Sequence, residues 1–266
     1  MKRWPRCISF AALICLLTVP VFSQESREIH KSGPFGKDGK LFVETYKGTL
    51  EVTTWDKAEI DIVARIESED SGKRAREDVE DTEVRVDLSS NSARIKTDYD
   101  RVRHHNSFFG FFESGSNELP LVHYKIKVPA KVRVEVKDYK SSTIISDIQS
   151  DVVIDSYKGD IEVSRLSGSV NVKTYKGKAR VDVASLLGRS RVETYKGEID
   201  FRLPKGGGFD LDAEVGRDAR FSSDFGLERE RSRNRRRGYD ARVAVNGGGP
   251  VVRLKCDKGT VRLLER

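Results

Sequence analysis

Apolar and polar residues alternate along most of the chain, which is the pattern of β-strands with one buried face. Segments of this kind before residue 130 cover 41–45, 49–54, 59–66, 83–88, 93–97 and 122–128, and later ones cover 241–245, 251–255 and 260–264. Residues 71–81 are highly charged and contain Val79 as their single β-branched residue, so they predict one short helix. The chain is therefore predicted to be all-β apart from this helix.

A repeat is the strongest signal in the middle of the chain. Tyr-Lys pairs begin at 139, 157, 175 and 195, at intervals of 18, 18 and 20 residues. Related copies stand near the ends, at Tyr46-Lys47-Gly48 and Asp257-Lys258-Gly259. A unit this short cannot bury its own apolar face, and it gains a core only by stacking on its neighbours. The prediction is a β-solenoid, a β-helix-like stack of two-strand repeats of 18–20 residues.

Stacking the repeats aligns their apolar positions in columns. The columns are Ile145, Val163, Val181 and Phe201; Ile154, Val172 and Val192; and Ile148, Leu166 and Leu186. The last column places the two extra residues of the third repeat between Val181 and Leu186.

The chain divides into a regular and an irregular part. Residues 131–266 are assigned to the solenoid repeats and 24–130 to an irregular β portion, and 24–266 are expected to form one continuous domain. Residues 103–119 form an inserted loop that is rich in phenylalanine. Residues 228–238 are a charged loop, either a solvated hairpin or an anion-binding loop.

The polar columns of the stacked repeats alternate in charge. They read Lys137, Asp155, Lys173, Glu193; then Asp160, Lys178, Glu198; then Glu162, Arg180, Asp200. Opposite charges that face each other on neighbouring strands stabilise their pairing, and like charges destabilise it. We interpret these columns as a device that holds the repeats in register.

One pair of columns departs from the alternation and supplies the candidate ligand-binding residues. These residues are Tyr139, Lys140, Tyr157, Lys158, Tyr175, Lys176, Tyr195 and Lys196. Stacked repeats would give a tyrosine ladder beside a lysine ladder, which suits the sugar rings and anionic groups of a polymer. The alternative is corner packing, with each lysine extended over a ring.

The inserted loop supplies a second candidate surface. Its cluster is Phe108, Phe109, Phe111 and Phe112. An exposed apolar tip of this kind fits a contact with a partner, whereas a loop that folds back would cap an open end of the stack.

Residues 1–23 have the pattern of a secretory signal peptide. A basic head of Lys2, Arg3 and Arg6 precedes an apolar run that is shorter than the about 20 residues of a spanning helix. Cleavage leaves no transmembrane span, and 46 basic residues against 42 acidic ones. We therefore expect an exported protein, periplasmic or on the cell surface, that does not bind nucleic acid. Cys256 is the one cysteine left, and a small buried apolar residue is expected there.

No enzyme motif is present, so the chain is predicted not to be an enzyme and to hold no metal or cofactor. The four histidines lie at 30, 104, 105 and 123 and have no metal-ligand spacing. The alternative is a polysaccharide-active enzyme on the same scaffold, because β-helix enzymes carry catalytic carboxylates on their outer faces. Here the outward carboxylates, such as Asp155 and Asp160, face cations in the next repeat, which would lower their pKa.

Several short motifs resemble a family of exported bacterial β-strand-repeat proteins named "putative adhesins". They are Gly48-Thr49-Leu50-Glu51-Val52, Tyr124 to Pro129, Gly159 to Val163 and Asn246 to Pro250. The resemblance implies a β-solenoid-like fold and an envelope location, and it carries no catalytic residues. The prediction is a non-catalytic envelope scaffold that binds an anionic polysaccharide, lipopolysaccharide or an envelope protein. The alternative to such binding is a purely structural or signalling module.

Overall fold

A computed structural model describes residues 25–102, 119–227 and 238–266 of the chain. Its elements, in chain order, are β1 (Ser26–Pro34), β2 (Lys40–Trp55), β3 (Glu59–Glu67), α1 (Lys73–Asp81), β4 (Glu83–Leu88), β5 (Ser92–Asp98), β6 (Leu121–Pro129), β7 (Arg133–Ser146), β8 (Val152–Lys158), β9 (Ile161–Gly168), β10 (Val170–Leu186), β11 (Ser190–Leu203), β12 (Phe209–Ser223), β13 (Tyr239–Val245) and β14 (Val251–Glu265). The strands predicted from alternation and the helix predicted within 71–81 are confirmed.

The fold is all-β, and its strands belong to one large sheet. Along the main hydrogen-bonded path the order is β1, β3, β6, β2, β7, β8, β10, β11, β14, β12, β13. Along this path every pair from β6 through to β12 is parallel. The antiparallel pairs lie toward the two ends and are β1 with β3, β3 with β6, β4 with β5, and β12 with β13. Strand β9 lies between β7 and β10, next to the second halves of both.

The repeats stack in the predicted register. Val172 pairs with Ile154 on one side and with Val192 on the other. Val181 pairs in the same way with Val163 and Phe201. The period-2 alternation and the 18-residue repeat thus place equivalent apolar residues directly over one another, which builds a continuous core.

The predicted column of Ile148, Leu166 and Leu186 is wrong in its last member. Leu166 pairs with Val183, and Leu186 pairs with Gly168. The register shifts by one residue at Leu166, next to Arg165 with its positive φ of 51°, and returns at the pair of Ser167 and Ser185. The two extra residues of the third repeat lie after Leu186, in the turn before β11, where Leu187 is exposed.

Strands from both ends of the chain join the stack. Val43 of β2 pairs with Val136 of the first central repeat, although 93 positions separate them in the sequence. At the other end β14 lies between β11 and β12, so the last strand separates two strands that follow each other in the chain. Stacking order and chain order therefore differ at both ends.

Glycine occupies the corner position of the long strands β2, β10, β11 and β14, and Ser141 takes this position in β7. Gly177 has a φ of 147°, and a Cβ built there would lie 2.0 Å from the carbonyl oxygen of Gly159 in the neighbouring repeat. No side chain fits at that distance, so the repeated Tyr-Lys-Gly corner lets successive backbones approach at strand spacing.

The inward faces of all these strands form one apolar cluster. Cys256 belongs to it and is fully buried, as predicted, and burial raises the pKa of its thiol to about 11. The predicted signal peptide, the phenylalanine cluster at 108–112 and most of the charged loop at 228–238 lie outside the described residues.

Candidate binding groove along the tyrosine ladder

Six rungs of aligned residues form the site, and each rung is contributed by one turn of the stack. We number them in stacking order by a wall residue, a corner residue and the lysine that follows it. Rung one is Glu44, Tyr46, Lys47; rung two Lys137, Tyr139, Lys140; rung three Asp155, Tyr157, Lys158; rung four Lys173, Tyr175, Lys176; rung five Glu193, Tyr195, Lys196; rung six Lys255, Asp257, Lys258.

The five tyrosines form a stacked ladder. Between neighbours from Tyr46 through Tyr139, Tyr157 and Tyr175 to Tyr195, ring centroids are 4.6, 4.9, 5.1 and 5.0 Å apart, and the planes differ by at most 16°. The four central-repeat rings are 38% to 46% exposed. The spacing is that of hydrogen-bonded strands, so the backbone register holds the rings in place.

The tyrosine ladder is closed at both ends. The ring of Tyr99 meets Tyr46 edge-on at 5.9 Å and 67°, and its hydroxyl donates to the carbonyl oxygen of Pro120. At rung six Asp257 takes the place of a tyrosine, and the ammonium of Lys258 lies 5.5 Å from the centroid of Tyr195. The aromatic surface is therefore five rings long.

The lysine ladder runs beside the tyrosines around the corner. Lys176 pairs in register with Lys158 and Lys196, and Lys196 with Lys258. Among the described residues, Lys47 bonds Glu69 at 2.7 Å, whereas Lys140, Lys158, Lys176 and Lys196 form no ion pair. Lys158 instead lies over the ring of Tyr157 at 5.1 Å, which is the contact expected from corner packing. The structure thus contains features of both interpretations.

A groove of about 740 Å³ follows the opposite side of the tyrosine ladder. The tyrosines form one side, and the wall residues Glu44, Lys137, Asp155, Lys173, Glu193 and Lys255 form the other. Six rungs at the strand spacing of about 4.8 Å give the groove a length of about 24 Å. Because the wall residue precedes each tyrosine by two positions, both side chains point to the same outer face.

The groove wall alternates in charge along its whole length. Glu44 pairs with Lys137, Glu193 pairs with Lys173 and Lys255, and Lys255 pairs with Glu214 of β12. Close ion pairs form at the ends, where Lys96 lies 3.6 Å from Glu44 and Lys255 lies 2.6 Å from Glu214. The alternation predicted for four residues thus continues onto strands that are distant in the sequence.

A tighter ion network lies on the second half of the long strands. Lys178 contacts Glu198 at 3.1 Å and Asp200 at 3.3 Å, and Arg262 of β14 contacts them at 3.0 and 2.6 Å. Hydrogen bonds from Arg262 and Lys178 lower the pKa of Glu198. Burial raises the pKa of Asp200, but the same two cations outweigh it and the net pKa is lowered.

A buried polar column lies behind the groove. Its described members include Thr45, Asp138, Ser156, Thr174 and Thr194. Asp138 accepts hydrogen bonds from the amides of Lys140 and Ser141 and from the hydroxyl of Ser156. Burial nevertheless raises the pKa of the Asp138 carboxyl above its ordinary value. These bonds fix the corner and so the direction of the tyrosine that follows.

Sequence analysis placed the central ladder correctly and missed the complete site. The structure brings Tyr139, Tyr157, Tyr175 and Tyr195 together as predicted, and it adds Tyr46, Glu44 and Lys255. The available signal was the Tyr-Lys-Gly copy at 46–48, because a copy of the repeat marks a possible position in the stack. From the sequence, the alternating wall residues were interpreted only as a device that holds the repeats in register, and not as part of a binding site.

In the described segments, no group of three or more His, Cys, Asp or Glu side chains is placed to hold a metal ion. The same part of the chain contains no helix long and apolar enough to cross a membrane.

Comparisons with known proteins give structural likenesses only. No family model and no curated protein matches the chain. The fold is similar to that of a "putative cell adhesion protein" from Clostridium sporogenes, with 13% identity, a TM-score of 0.47, and coverage of 91% of this chain and 100% of that chain. A "putative adhesin" from Bacteroides fragilis has 12% identity, a TM-score of 0.45, and coverage of 90% and 97%. These low scores do not assign a function.

Proposed function

We propose that this protein is an exported, non-catalytic β-solenoid that binds an anionic glycan along the tyrosine and lysine ladders. The parallel stack of 18- and 20-residue repeats supports the solenoid, because equivalent residues of successive repeats face each other. The pattern of residues 1–23 supports export. An exported protein of this kind would meet its glycan in the cell envelope or on the cell surface.

The observation that carries the proposal is the lysine ladder itself. The groove wall and the two columns of the ion network alternate in sign, and like charges elsewhere in the stack form single pairs such as Arg191 with Arg253, whereas rungs two to six place five lysines in a row. Like charges at strand spacing destabilise the pairing of the strands. A bound polyanion would neutralise that repulsion. A column of five lysines is therefore explained if the lysines bind an anionic ligand.

The tyrosine ladder supplies the second half of the binding surface. Four central rings are about two-fifths exposed and lie in one line beside the lysines. The rings stack on one another, so the exposed surface of the ladder consists of ring edges, which give a sugar chain a continuous apolar contact. The stacking already holds the side chains in place, so binding costs little side-chain entropy. A glycan with carboxylate or phosphate groups would use both ladders at once.

The test compares the protein with a variant in which Lys140, Lys158, Lys176 and Lys196 are changed to serine. Both are co-sedimented with envelope and polysaccharide fractions of the host at low and high salt. We expect salt-sensitive binding that the variant loses, because ion pairs to an exposed polyanion are screened by salt. A control variant changes four exposed lysines away from the ladder, namely Lys31, Lys37, Lys131 and Lys205.

If both variants lose binding equally, the loss reflects net charge and not the ladder. If the ladder variant binds as before, the tyrosines and lysines are corner packing only.

The same samples are assayed for new reducing ends. Their release would favour a polysaccharide-active enzyme, which needs two carboxyl groups about 5 to 10 Å apart. A protein that binds no fraction would fit a structural or signalling module.

A further inference from the structure

We propose that an extended β-1,4-linked polyuronate ribbon lies along the tyrosine ladder, with one sugar on each rung and carboxylates that point alternately to the groove wall and to the lysine ladder. This inference rests on the proposed function and specifies its ligand. It follows from three properties of the site, which are the spacing of the tyrosines, the two-rung period of the wall and the closed ends of the ladder.

The spacing of the ladder suits a flat sugar chain. Neighbouring rings are 4.6 to 5.1 Å apart, and together they form a straight aromatic strip. A β-1,4-linked pyranose ribbon advances by close to this distance for each sugar. Every ring of such a chain therefore meets an equivalent tyrosine without bending, which keeps the entropic cost of binding low.

The two sides of the tyrosine ladder differ in period. The lysine ladder offers a cation at every rung, whereas the wall offers Lys137 at rung two and Lys173 at rung four, with Asp155 between them. Successive sugars of a two-fold ribbon are flipped, so their carboxylates leave from alternate edges. The wall repeats every two rungs, and so does the ribbon.

Charge complementarity then sets the register of the ribbon. Carboxylates at rungs two and four face Lys137 and Lys173, and those at rungs three and five face Lys158 and Lys196. Hydroxyl groups at rungs three and five face Asp155 and Glu193, which accept their hydrogen bonds. The opposite register would bring carboxylates against Asp155 and Glu193, and like charges would disfavour it.

The register separates the four ladder lysines into two pairs. Lys158 and Lys196 meet carboxylates, whereas Lys140 and Lys176 meet hydroxyl edges. The two pairs are in the same column and differ only by one rung, so each serves as the matched control for the other. A simple polyanion without an alternating period would use all four equally.

The experiment measures binding of the full protein to oligomers of β-1,4-linked mannuronate and α-1,4-linked guluronate, which have equal charge but different shape. We expect mannuronate to bind at least about tenfold more tightly, the equivalent of one well-placed charged hydrogen bond. Its affinity should rise with length up to the five rings of the tyrosine ladder and then level off.

The two lysine pairs test the register. Changing Lys158 and Lys196 to serine should weaken mannuronate binding at least about tenfold, and changing Lys140 and Lys176 less than about threefold. Equal affinity for the two polymers, or equal loss in the two variants, would overturn the ribbon and leave a glycan site that responds to charge. If neither polymer binds while the host fractions do, the ribbon alone fails. If nothing binds, the proposed function fails as well.

Discussion

The central repeats and the C-terminal strand make the same rung in different ways. In the central repeats each turn of the chain stacks on the turn before it, so Gly177 lies against Gly159, which is 18 positions away. Strand β14 follows β12 and β13 in the chain and lies between them and β11, and Gly259 lies against Gly197. The local geometry is nevertheless the same, with a Cβ position 2.0 or 1.8 Å from the facing carbonyl oxygen.

This comparison shows that a rung is defined by its place in the stack. Lys258 and Arg262 of β14 continue the lysine ladder and the ion network of the central repeats, although more than 60 positions separate them from Lys196 and Asp200. The sequence of β14 is matched to β11 and not to its neighbour in the chain. The following predictions test whether the two kinds of rung are equivalent in energy.

The largest effect is expected from adding a methyl group at the corner. Gly177→Ala and Gly259→Ala should each lower the free energy of unfolding by about 2 to 5 kcal/mol, from a strained positive φ and from overpacking. Urea unfolding measures both. Similar losses would establish that β14 is packed as tightly as the central repeats, and a much smaller loss for Gly259→Ala would refute their equivalence.

Gly206→Ala is the control for this pair. Gly206 has a φ of 74°, but a Cβ there meets no atom within 4 Å. The variant should lose about 1 kcal/mol from the backbone conformation alone. If it loses as much as Gly177→Ala, the close approach of the backbones has no separate cost.

An intermediate effect is expected in the ion network, where Lys178 of the centre and Arg262 of β14 share Glu198 and Asp200. Arg262→Met should lower the free energy of unfolding by about 1 kcal/mol and Lys178→Met by about half as much, because partly exposed pairs are screened by water. The contacts of Arg262 are the shorter ones. Arg202→Met, at an exposed position with no described ion pair, should change little.

The pH dependence of these variants has a definite sign. The pKa values of Glu198 and Asp200 are lowered in the folded protein, so their contribution is present above the ordinary carboxyl range and lost as the pH falls through the folded values. The difference between Arg262→Met and the unmodified protein should therefore shrink in acid. A difference that stays constant down to pH 3 would mean that Arg262 acts through packing.

The smallest effect, with the opposite sign, is expected at Asp138. Its pKa is raised by burial, so its contribution to stability is full below the ordinary value near 3.8 and is lost as the pH rises through the folded value. Asp138→Asn should remove this decline, so the free energy of unfolding measured in urea should fall less as the pH rises above about 4 than it does in the unmodified protein. A pH profile equal to that of the unmodified protein would contradict a raised pKa at Asp138.

Much of the fold could be predicted because it depends on short periods. Alternation over a few residues located the strands, and the 18-residue interval placed Val172 over Ile154. The prediction failed at Leu186, because the two extra residues of the third repeat lie after it, in the turn before β11. Several turns of a repeat can accept such an insertion, and the periodic pattern alone does not show which of them does.

The candidate site was predicted in its central part for the same reason. Tyr139 to Tyr195 repeat within one continuous stretch, so their ladder follows from the spacing. Tyr46 and Lys255 lie on strands whose position depends on long-range pairing, with β2 on β7 and β14 on β11. Their own sequences show a related motif but not the partner against which it packs.

The sequence by itself determined the strands, the repeat, the glycine corners and the alternating charges of the central stack. These features depend on side-chain period and on pairs only one repeat apart. Only the tertiary structure decided that β2 and β14 complete the ladder, that Tyr99 and Asp257 close it, and that the alternating wall and the tyrosines enclose one groove. The physical reason is that parallel strands pair through backbone hydrogen bonds common to all residues, so the choice of partner depends on the packing of the complete stack.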